Sequence, residues 1–298
     1  MELPIKTGNR SANMTSDTGR RGKNFIFHGM LFAMAIAIVC LKANSQPLTG
    51  THTIGAGQTY TTVQSAIADI NAKGVGSGGV TFNIPSGHLE TFTARSAGYI
   101  RDTSMSVSKP VVFQKSGSGP NPRITAATGL GTRDAVIAIV GGDGITFDGI
   151  SIQDSSNHTT ATTRPEFGFA LFRRGNNGCQ NITIKNCAIS LNKAHTTTIG
   201  IYCAETDTSA VVTPTSTWGT NSNNQFYADT LSNVYLGILV KGYNHTASPY
   251  TLFDDNNQIG VAGGNRITNF GGVGVAAYGI STKYQNRQKI ANNVISGG

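Results

Sequence analysis

The sequence has few charged residues and lacks the long runs of glutamate, lysine and leucine from which extended helices are built. Charged side chains make up 13% of the chain, whereas glycine contributes 37 of the 298 residues, above the average usage of about 7%. The hydrophobic content of 38% is sufficient for a core, so the composition excludes a disordered chain. It favours an all-β protein.

Cysteine is also scarce, and the absence of Cys-x-x-Cys spacing argues against a zinc site. Beyond residue 45 the cysteines are Cys179, Cys187 and Cys203. We predict that they are buried as small apolar residues, with one disulfide bridge among them as the alternative. The six histidines form neither a metal-ligand spacing nor a Ser/His/Asp arrangement. We therefore predict no metal ligand and no cofactor.

The basic residues are concentrated at the start of the chain. Residues 1–45 contain six of the 23 basic and two of the 15 acidic residues, which leaves 17 against 13 in residues 46–298. No basic run remains there, so nucleic acid is not expected as a partner.

Residues 1–45 have the order of segments found in a secretory signal peptide. Three basic residues between positions 20 and 23 precede an apolar run over 25–41, and Ala-Asn-Ser follows at 43–45. We predict cleavage before Gln46 and a secreted or cell-surface protein that meets the membrane only through this leader. An uncleaved anchor is the alternative, although the apolar run is shorter than the roughly 20 residues of a membrane span.

One short helix is predicted near the start of the mature chain. Thr61 and Gln64 have capping-box spacing, and Lys73-Gly74 supplies a stop signal. Val63, Ala66, Ile67 and Ile70 would share its buried face. A glycine-rich turn at 76–79 and a strand at 80–85 follow. Such a helix would cover the first open edge of a repeat structure.

The chain beyond residue 100 contains an internal repeat. One frame recurs without gaps at 145–152, 182–189, 225–232 and 289–296, a weaker copy ends at 265–269, and the copies lie 28 to 42 residues apart. Each unit reads as a strand, a tight corner at Gly or Asn, and a second strand. We predict a right-handed parallel β-helix, in which Phe147, Ile184, Ile152, Ile189 and Leu231 point into the core.

Other repeat architectures fit less well. A propeller usually carries Trp-Asp signatures, but the chain has one tryptophan, and leucines are too scarce for leucine-rich repeats. An immunoglobulin-like sandwich remains the alternative.

Two segments resemble the N-terminal cap and first coil of the pectin-lyase-like superfamily. They are Tyr60-x-x-Val63-Gln64-x-Ala66-Ile67 and Gly79-Val80-x-Phe82-x-Ile84-Pro85-x-Gly87. The resemblance covers about residues 51–298, and with the leader it is similar to large cell-surface β-helix proteins of the Bacteroidetes. It implies a right-handed parallel β-helix but leaves the activity open, because that superfamily includes lyases, hydrolases, esterases, tailspikes and adhesins.

The enzyme signatures of that superfamily are missing. Asp254-Asp255 matches one of the three polygalacturonase motifs, and no methylesterase motif is present. Asp143, Asp148 and Asp154 are spaced loosely enough to allow the calcium cluster of a pectate lyase, without indicating one. We therefore predict no catalytic residues and a module that binds or adheres to polysaccharide. A lyase or glycoside hydrolase acting on acidic glycans is the alternative.

The repeat frame suggests a binding surface. Asp148, Lys185 and Tyr227 occupy equivalent outward positions, so we predict that they are exposed and form one column that binds a sugar polymer. Insertions at 155–178, 193–224 and 241–262 would flank this face. They carry or adjoin aromatic residues, namely Tyr202, Trp218, Tyr243, Tyr250 and Phe253. Because the last repeat stops at Gly298 with nothing to cover it, we also expect the parent protein to continue with further coils.

Overall fold

The computed structural model describes residues 46–272 and 276–298. The predicted signal peptide, residues 1–45, lies outside the described residues. Within them, short strands pair side by side into three long sheets and one short sheet. Every ladder between named strands is parallel, and the helix at residues 63–73 is the one α-helix in the described part of the chain.

The strands are numbered in chain order. Sheet 1 contains β1 (Leu48–Thr53), β2 (Val75–Pro85), β5 (Val111–Ser116), β8 (Ile145–Asp148), β11 (Thr183–Lys185), β14 (Gln225–Tyr227), β18 (Gln258–Ile259) and β22 (Lys289–Ile290). Sheet 2 contains β3 (Leu89–Thr91), β6 (Arg123–Thr125), β9 (Ser151–Gln153), β12 (Ala188–Ser190), β15 (Thr230–Ser232), β19 (Arg266–Thr268) and β23 (Val294–Ser296).

Sheet 3 contains β4 (Tyr99–Ile100), β7 (Ala135–Val140), β10 (Phe167–Phe172), β13 (Ile199–Ala204), β16 (Leu236–Lys241) and β20 (Ile280–Lys283). The short sheet pairs β17 (Asp254–Asp255) with β21 (Gln285–Asn286). The chain passes through sheets 1, 2 and 3 in turn. Seven coils result, and they begin at β2, β5, β8, β11, β14, β18 and β22.

The predicted fold class is confirmed: the chain is a right-handed parallel β-helix, the hand that connections between parallel strands take. The predicted register is confirmed as well. Ile184 lies between Phe147 and Phe226 in sheet 1, and Ile189 lies between Ile152 and Leu231 in sheet 2. All of these side chains are at most 1% exposed.

The third sheet is absent from the sequence prediction. Two of the predicted insertions, 155–178 and 193–224, contain the sheet 3 strands β10 and β13. All six residues of β7 and all six of β10 are buried. A strand buried on both faces loses the alternation of apolar and polar residues by which strands are recognised.

The helix α1 (Val63–Lys73) lies where the sequence predicts it, but its cap differs. Thr62, not Thr61, is the N-cap, and Ser65 completes the capping box in place of Gln64. The carboxylate of Glu90 also accepts hydrogen bonds from the first backbone amides of the helix, at 2.6 and 3.0 Å. This second partner fixes the helix start. The predicted buried face is confirmed. No described helix is long and apolar enough to cross a membrane.

The predicted glycine turn at 76–79 is wrong, because β2 begins at Val75 and runs through it. The ladder between β1 and β2 shifts register there, which accommodates the glycines as an irregularity within a strand.

The main core is an apolar stack along the helix axis, and a second, smaller apolar cluster is formed by sheet 3 residues such as Ala138 and Phe172. Phe82, Phe113 and Phe147 follow one another on successive coils, with ring centroids 4.9 and 5.3 Å apart. The three cysteines are buried and free. The prediction of buried apolar residues is confirmed, and the alternative disulfide bridge is not formed among them. In coil 7, Ile290 and Ile295 occupy inward positions but are 48% and 46% exposed. Their strands are the last described ones of their sheets, so one side is open.

Candidate functional site

The predicted column is assembled by the sheet register. Lys185 lies directly between Asp148 and Tyr227. The Nζ of Lys185 is 3.1 Å from Oδ2 of Asp148, and the two side chains are 29% and 28% exposed. Tyr227 is half-buried. The predicted exposure is therefore only partial, because neighbouring side chains on adjacent coils cover one another across the strand spacing of about 4.8 Å.

The charges of this column are already paired. Burial works to lower the pKa of Lys185, but the hydrogen bond and the charge of Asp148 outweigh it, so the pKa is raised. Asn186 donates a second hydrogen bond to Asp148, at 2.7 Å. A ligand at the column would have to compete with these contacts, and a binding role for it remains a prediction.

A pocket of about 430 Å³ lies nearby, between the loops that lead from sheet 3 into sheet 1. Four successive loops supply its walls, from residue 180 to residue 286. Three aromatic side chains line it, and two of them are well exposed, Trp218 by 68% and Tyr250 by 51%. The ring of Tyr250 stacks on the ring of Phe253 with 6.1 Å between centroids. The sequence placed these aromatics in loops but did not predict that they share one pocket.

The loop that carries Trp218 is anchored to the loop of the preceding coil. The carbonyl of Trp218 accepts a hydrogen bond from the amide of Gly178 at 2.8 Å, and Gln180 donates to the carbonyl of Thr217 at 2.9 Å. Asn176 accepts from the amide of Thr215 at 2.7 Å. These contacts hold the backbone beneath the indole ring, so the ring is presented from a fixed position.

The opposite loop is held by its own contacts. His245 accepts a hydrogen bond from the amide of Leu252 at 3.2 Å, and the amide of Tyr250 donates to the carbonyl of Ala247 at 2.9 Å. The ring of His245 also contacts those of Tyr243 and Tyr250. The rim of the pocket therefore consists of two braced aromatic loops.

Amides and hydroxyls make up most of the polar lining, and one carboxylate joins them. The polar lining side chains are Gln180, Thr217, Thr220, Ser222, Asn223, Thr251, Asp255 and Asn286. Asp255 forms a two-point ion pair with Arg287 of the next coil, with Nε at 2.8 Å from Oδ1. The hydrogen bond from Arg287 is the main cause that lowers the pKa of Asp255. The pocket thus offers hydrogen-bonding groups with little net charge.

The Asp254-Asp255 pair is divided between two environments. Consecutive residues of a strand point to opposite faces, so Asp254 points inward, where it is fully buried against Arg173 at 3.4 Å. Desolvation raises the pKa of Asp254 to about 6, although Arg173 and the amide of Asn221 oppose the shift. Asp254 does not line the pocket. The polygalacturonase-like Asp-Asp motif therefore presents one carboxylate there, not two.

The three aspartates considered for calcium do not come together. Asp143 accepts from the amide of Gln180 at 2.8 Å, and burial raises its pKa to about 6. Asp148 pairs with Lys185, and Asp154 lies 2.6 Å from His158. Within residues 46–272 and 276–298, no three His, Cys, Asp or Glu side chains are grouped so that they could hold a metal ion.

Comparison with known proteins gives a likeness of fold. No family model matches the chain, and no curated protein matches it. One similar solved structure is pectin methylesterase PemA from Erwinia chrysanthemi, with a TM-score of 0.35 and 12% identity, covering 81% of this chain and 71% of that one. The chain has a parallel β-helix fold, as its strand pairing shows. The activity in the name belongs to PemA, and a likeness at this level carries no argument about activity.

The resemblance found in the cap and first coil is therefore confirmed for the fold. The similarity to cell-surface proteins of the Bacteroidetes stays a prediction. Sequence reasoning missed the pairing of Asp255 with Arg287, because the two-residue strands that position them, β17 and β21, have no apolar pattern. The signal for the pocket was indirect. Two long loops follow sheet 3 on consecutive coils, and both carry aromatics.

Proposed function

We propose that the chain is a polysaccharide-binding β-helix module of a secreted or cell-surface protein. The pocket rimmed by Trp218 and Tyr250 would be its binding site. The observation that carries this proposal is the pair of exposed, braced aromatic rings beside a lining of amides and hydroxyls. Aromatic faces stack on the apolar faces of sugar rings, and amides pair with their hydroxyls.

The position of the pocket also suits a polymer. Asn223, one of its lining residues, precedes Tyr227 by four residues on the same coil. At about 3.3 Å per residue this separation is at most roughly 13 Å, and the left-handed backbone at Asn223, before β14 begins, shortens it. A sugar chain held in the pocket could extend over the sheet 1 surface to Tyr227 and Lys185. In this arrangement the aromatic pocket is the main site and the predicted column is its extension.

Binding without cleavage is favoured by the number of carboxylates. Glycoside hydrolysis by the common mechanisms needs two carboxyl groups, about 5 to 9.5 Å apart, on either side of the bond. Among the described residues that line the pocket, Asp255 alone carries a carboxylate, and Arg287 holds it. The alternative, a lyase or hydrolase acting on acidic glycans, draws on the same Arg287, whose guanidinium could bind a uronate.

The test is a panel of neutral and acidic polysaccharides offered to the full chain. Retardation in affinity electrophoresis measures binding, while absorbance of unsaturated products and reducing-end release measure cleavage. We expect at least one polysaccharide to bind without products, and Trp218→Ala to weaken its binding at least tenfold. Leu130→Ala is the matched control, since Leu130 is 81% exposed and lies outside the pocket.

Two results would overturn the proposal. Formation of products from an acidic polysaccharide, lost in Arg287→Ala, would establish the enzyme instead. Equal binding by the Trp218→Ala and Leu130→Ala variants would place the site elsewhere.

A further inference from the structure

A second pocket, of about 350 Å³, lies on coils 1 to 3 between the loops that lead from sheet 2 into sheet 3. One part of its wall is apolar, formed by Phe92, Ala126 and Ala127. The rest is formed by side chains with hydroxyl, amide or imidazole groups, namely Thr91, Thr93, Thr128, Ser155, Asn157, His158 and Thr163. No lysine, arginine or carboxylate lines it among the described residues. It therefore suits a small uncharged group.

His158 is the one titratable residue of this lining, and a carboxylate holds it from behind. Its Nδ1 lies 2.6 Å from Oδ1 of Asp154, and both side chains are 6% exposed. Asp154 is fixed in turn, because its Oδ1 accepts from the amide of Ser155 at 2.7 Å and its own amide donates to Ser190 at 3.0 Å. Arg164 donates to the carbonyl of His158 at 2.9 Å. Hydrogen bonds to the backbone therefore hold Asp154 and His158 in place, and Asp154 holds one edge of the imidazole ring. We call these two residues the dyad.

The other ring nitrogen of His158 is free. No described residue forms a hydrogen bond with Nε2, yet Nε2 is not among the polar atoms that are sealed from solvent without a partner. Because a carboxylate can only accept, Nδ1 carries the proton, and in the neutral ring Nε2 then presents a lone pair. His158 lines the pocket, so we place this lone pair at its wall.

We propose that Asp154 and His158 form a general-base site that activates water against a small neutral acyl ester, such as an O-acyl group on a sugar. The water oxygen forms a bond to the carbonyl carbon while His158 Nε2 takes its proton. The bond between the carbonyl carbon and the alcohol oxygen then breaks, and the alcohol leaves with that proton. His158 is the catalytic residue, and Asp154 is a positioning residue that fixes its tautomer.

The surroundings support this assignment of roles. The charged and titratable groups that face the dyad are Arg164 and His195, and the pKa of His195 is lowered, first by burial and then by Arg164. The Nδ1 of His195 is sealed from solvent without a partner, and His195 does not line the pocket. It is therefore a matched control, a nearby histidine that lies outside the pocket and whose Nε2 is bonded to Thr197 at 3.0 Å.

The probe is 4-nitrophenyl acetate, hydrolysed by the full chain and followed by nitrophenolate absorbance. We expect saturable hydrolysis, and a loss of kcat of about 100-fold or more in His158→Gln, the usual contribution of a general base. Asp154→Asn should lower kcat with little change in KM, since it reverses the tautomer but leaves the pocket intact. His195→Gln should hydrolyse like the parent chain.

The proposal is wrong if the folded parent chain shows only non-saturable hydrolysis. It is also wrong if the His158→Gln and His195→Gln variants are equally active. A thermal melt of each variant distinguishes loss of the base from loss of the fold. The site lies on coils 1 to 3 and the aromatic pocket on the loops between coils 3 and 7. Polysaccharide binding and ester hydrolysis can therefore fail independently.

Discussion

Two corners of the β-helix differ in construction. In coils 3 to 5 the corner between sheets 1 and 2 has two residues, and its first residue adopts a left-handed conformation at Gly149, Asn186 and Ala228. By contrast, the loop from sheet 3 into sheet 1 reaches 20 residues at 205–224. The short corner is nearly the same on coils 3 to 5, whereas the long loop changes in length and content from coil to coil.

The difference follows from where the backbone hydrogen bonds go. At the short corner, side chains on successive coils form a ladder. The amide of Cys187 donates to Asp229 at 2.8 Å, that of Asp229 donates to Asn265 at 3.0 Å, and that of Asn265 donates to Asn293 at 3.1 Å. Each rung comes from the residue directly before a sheet 2 strand, and it pairs a buried amide that would otherwise lack a partner. That residue keeps its place even where the corner is longer, as at 260–265 on coil 6. The long loops bond to one another at the surface, and there the chain has room for a binding site.

The largest effect is expected from a charge placed inside the regular part of the coil. Ile184 is fully buried, so Ile184→Asp removes a core side chain and buries a carboxylate, a combined loss of about 4 kcal/mol or more. Lys185→Ala, one residue along, removes a partly exposed ion pair worth about 1 kcal/mol or less. Chemical denaturation of both variants measures the contrast. Equal losses would mean that the inward and outward positions are misassigned.

A smaller effect is expected within the ladder itself. Asp229 is 1% exposed, and its side-chain Oδ2 has no partner. At the same position of the next coil, the side-chain Nδ2 of Asn265 donates to the carbonyl of Phe226 at 2.9 Å. One coil earlier, Asp229 and Ile184 take the positions of Asn265 and Phe226. We therefore expect Oδ2 of Asp229 to face the carbonyl of Ile184. Asp229→Asn should therefore stabilise the chain at neutral pH by about 1 to 3 kcal/mol. Asn265→Asp should destabilise it by a similar amount.

The pH dependence of this pair is a separate test. Desolvation raises the pKa of Asp229 well above that of the unfolded chain. The contribution of protonated Asp229 to the free energy of unfolding is fully present below the unfolded pKa of about 4. It is lost as the pH rises through the folded pKa, because the buried carboxyl must then ionise. The advantage of Asp229→Asn should thus be largest at neutral pH and should shrink on acidification. An advantage that is constant with pH would mean that Asp229 does not titrate on unfolding.

The smallest effect on stability is expected at the long loops. Trp218→Ala and Tyr250→Ala remove well-exposed rings, so each should change the free energy of unfolding by about 0.5 kcal/mol or less. Their thermal melts should overlay that of the parent chain. A large loss in either variant would mean that the rings hold the loops together and are not available to a ligand.

The contrast between corners also explains what the sequence could predict. The strand pair around Phe147 and Ile152 recurs in one frame, because a ladder fixes its length, and this sufficed for the fold, the register and the buried core. Coil 2 escaped the repeat search, since six residues separate β5 from β6. Coil 1 escaped it because Glu90, and not an apolar residue, takes the inward sheet 2 position beside Ile124. Sheet 3 escaped it because β7, β10 and most of β13 are buried on both faces. The pocket depends on loops that carry no repeat, so only its aromatic residues could be named.

The central claim, that the aromatic pocket binds the sugar, has a direct optical test. Trp218 is the single tryptophan of the chain, so the intrinsic tryptophan fluorescence comes entirely from the pocket rim. Titration of the full chain with a polysaccharide that it retains should give a saturable blue shift as the ring leaves water. The shift should be lost in Tyr250→Ala and kept in Lys185→Ala. Retention of the polysaccharide with no change in emission would contradict the claim.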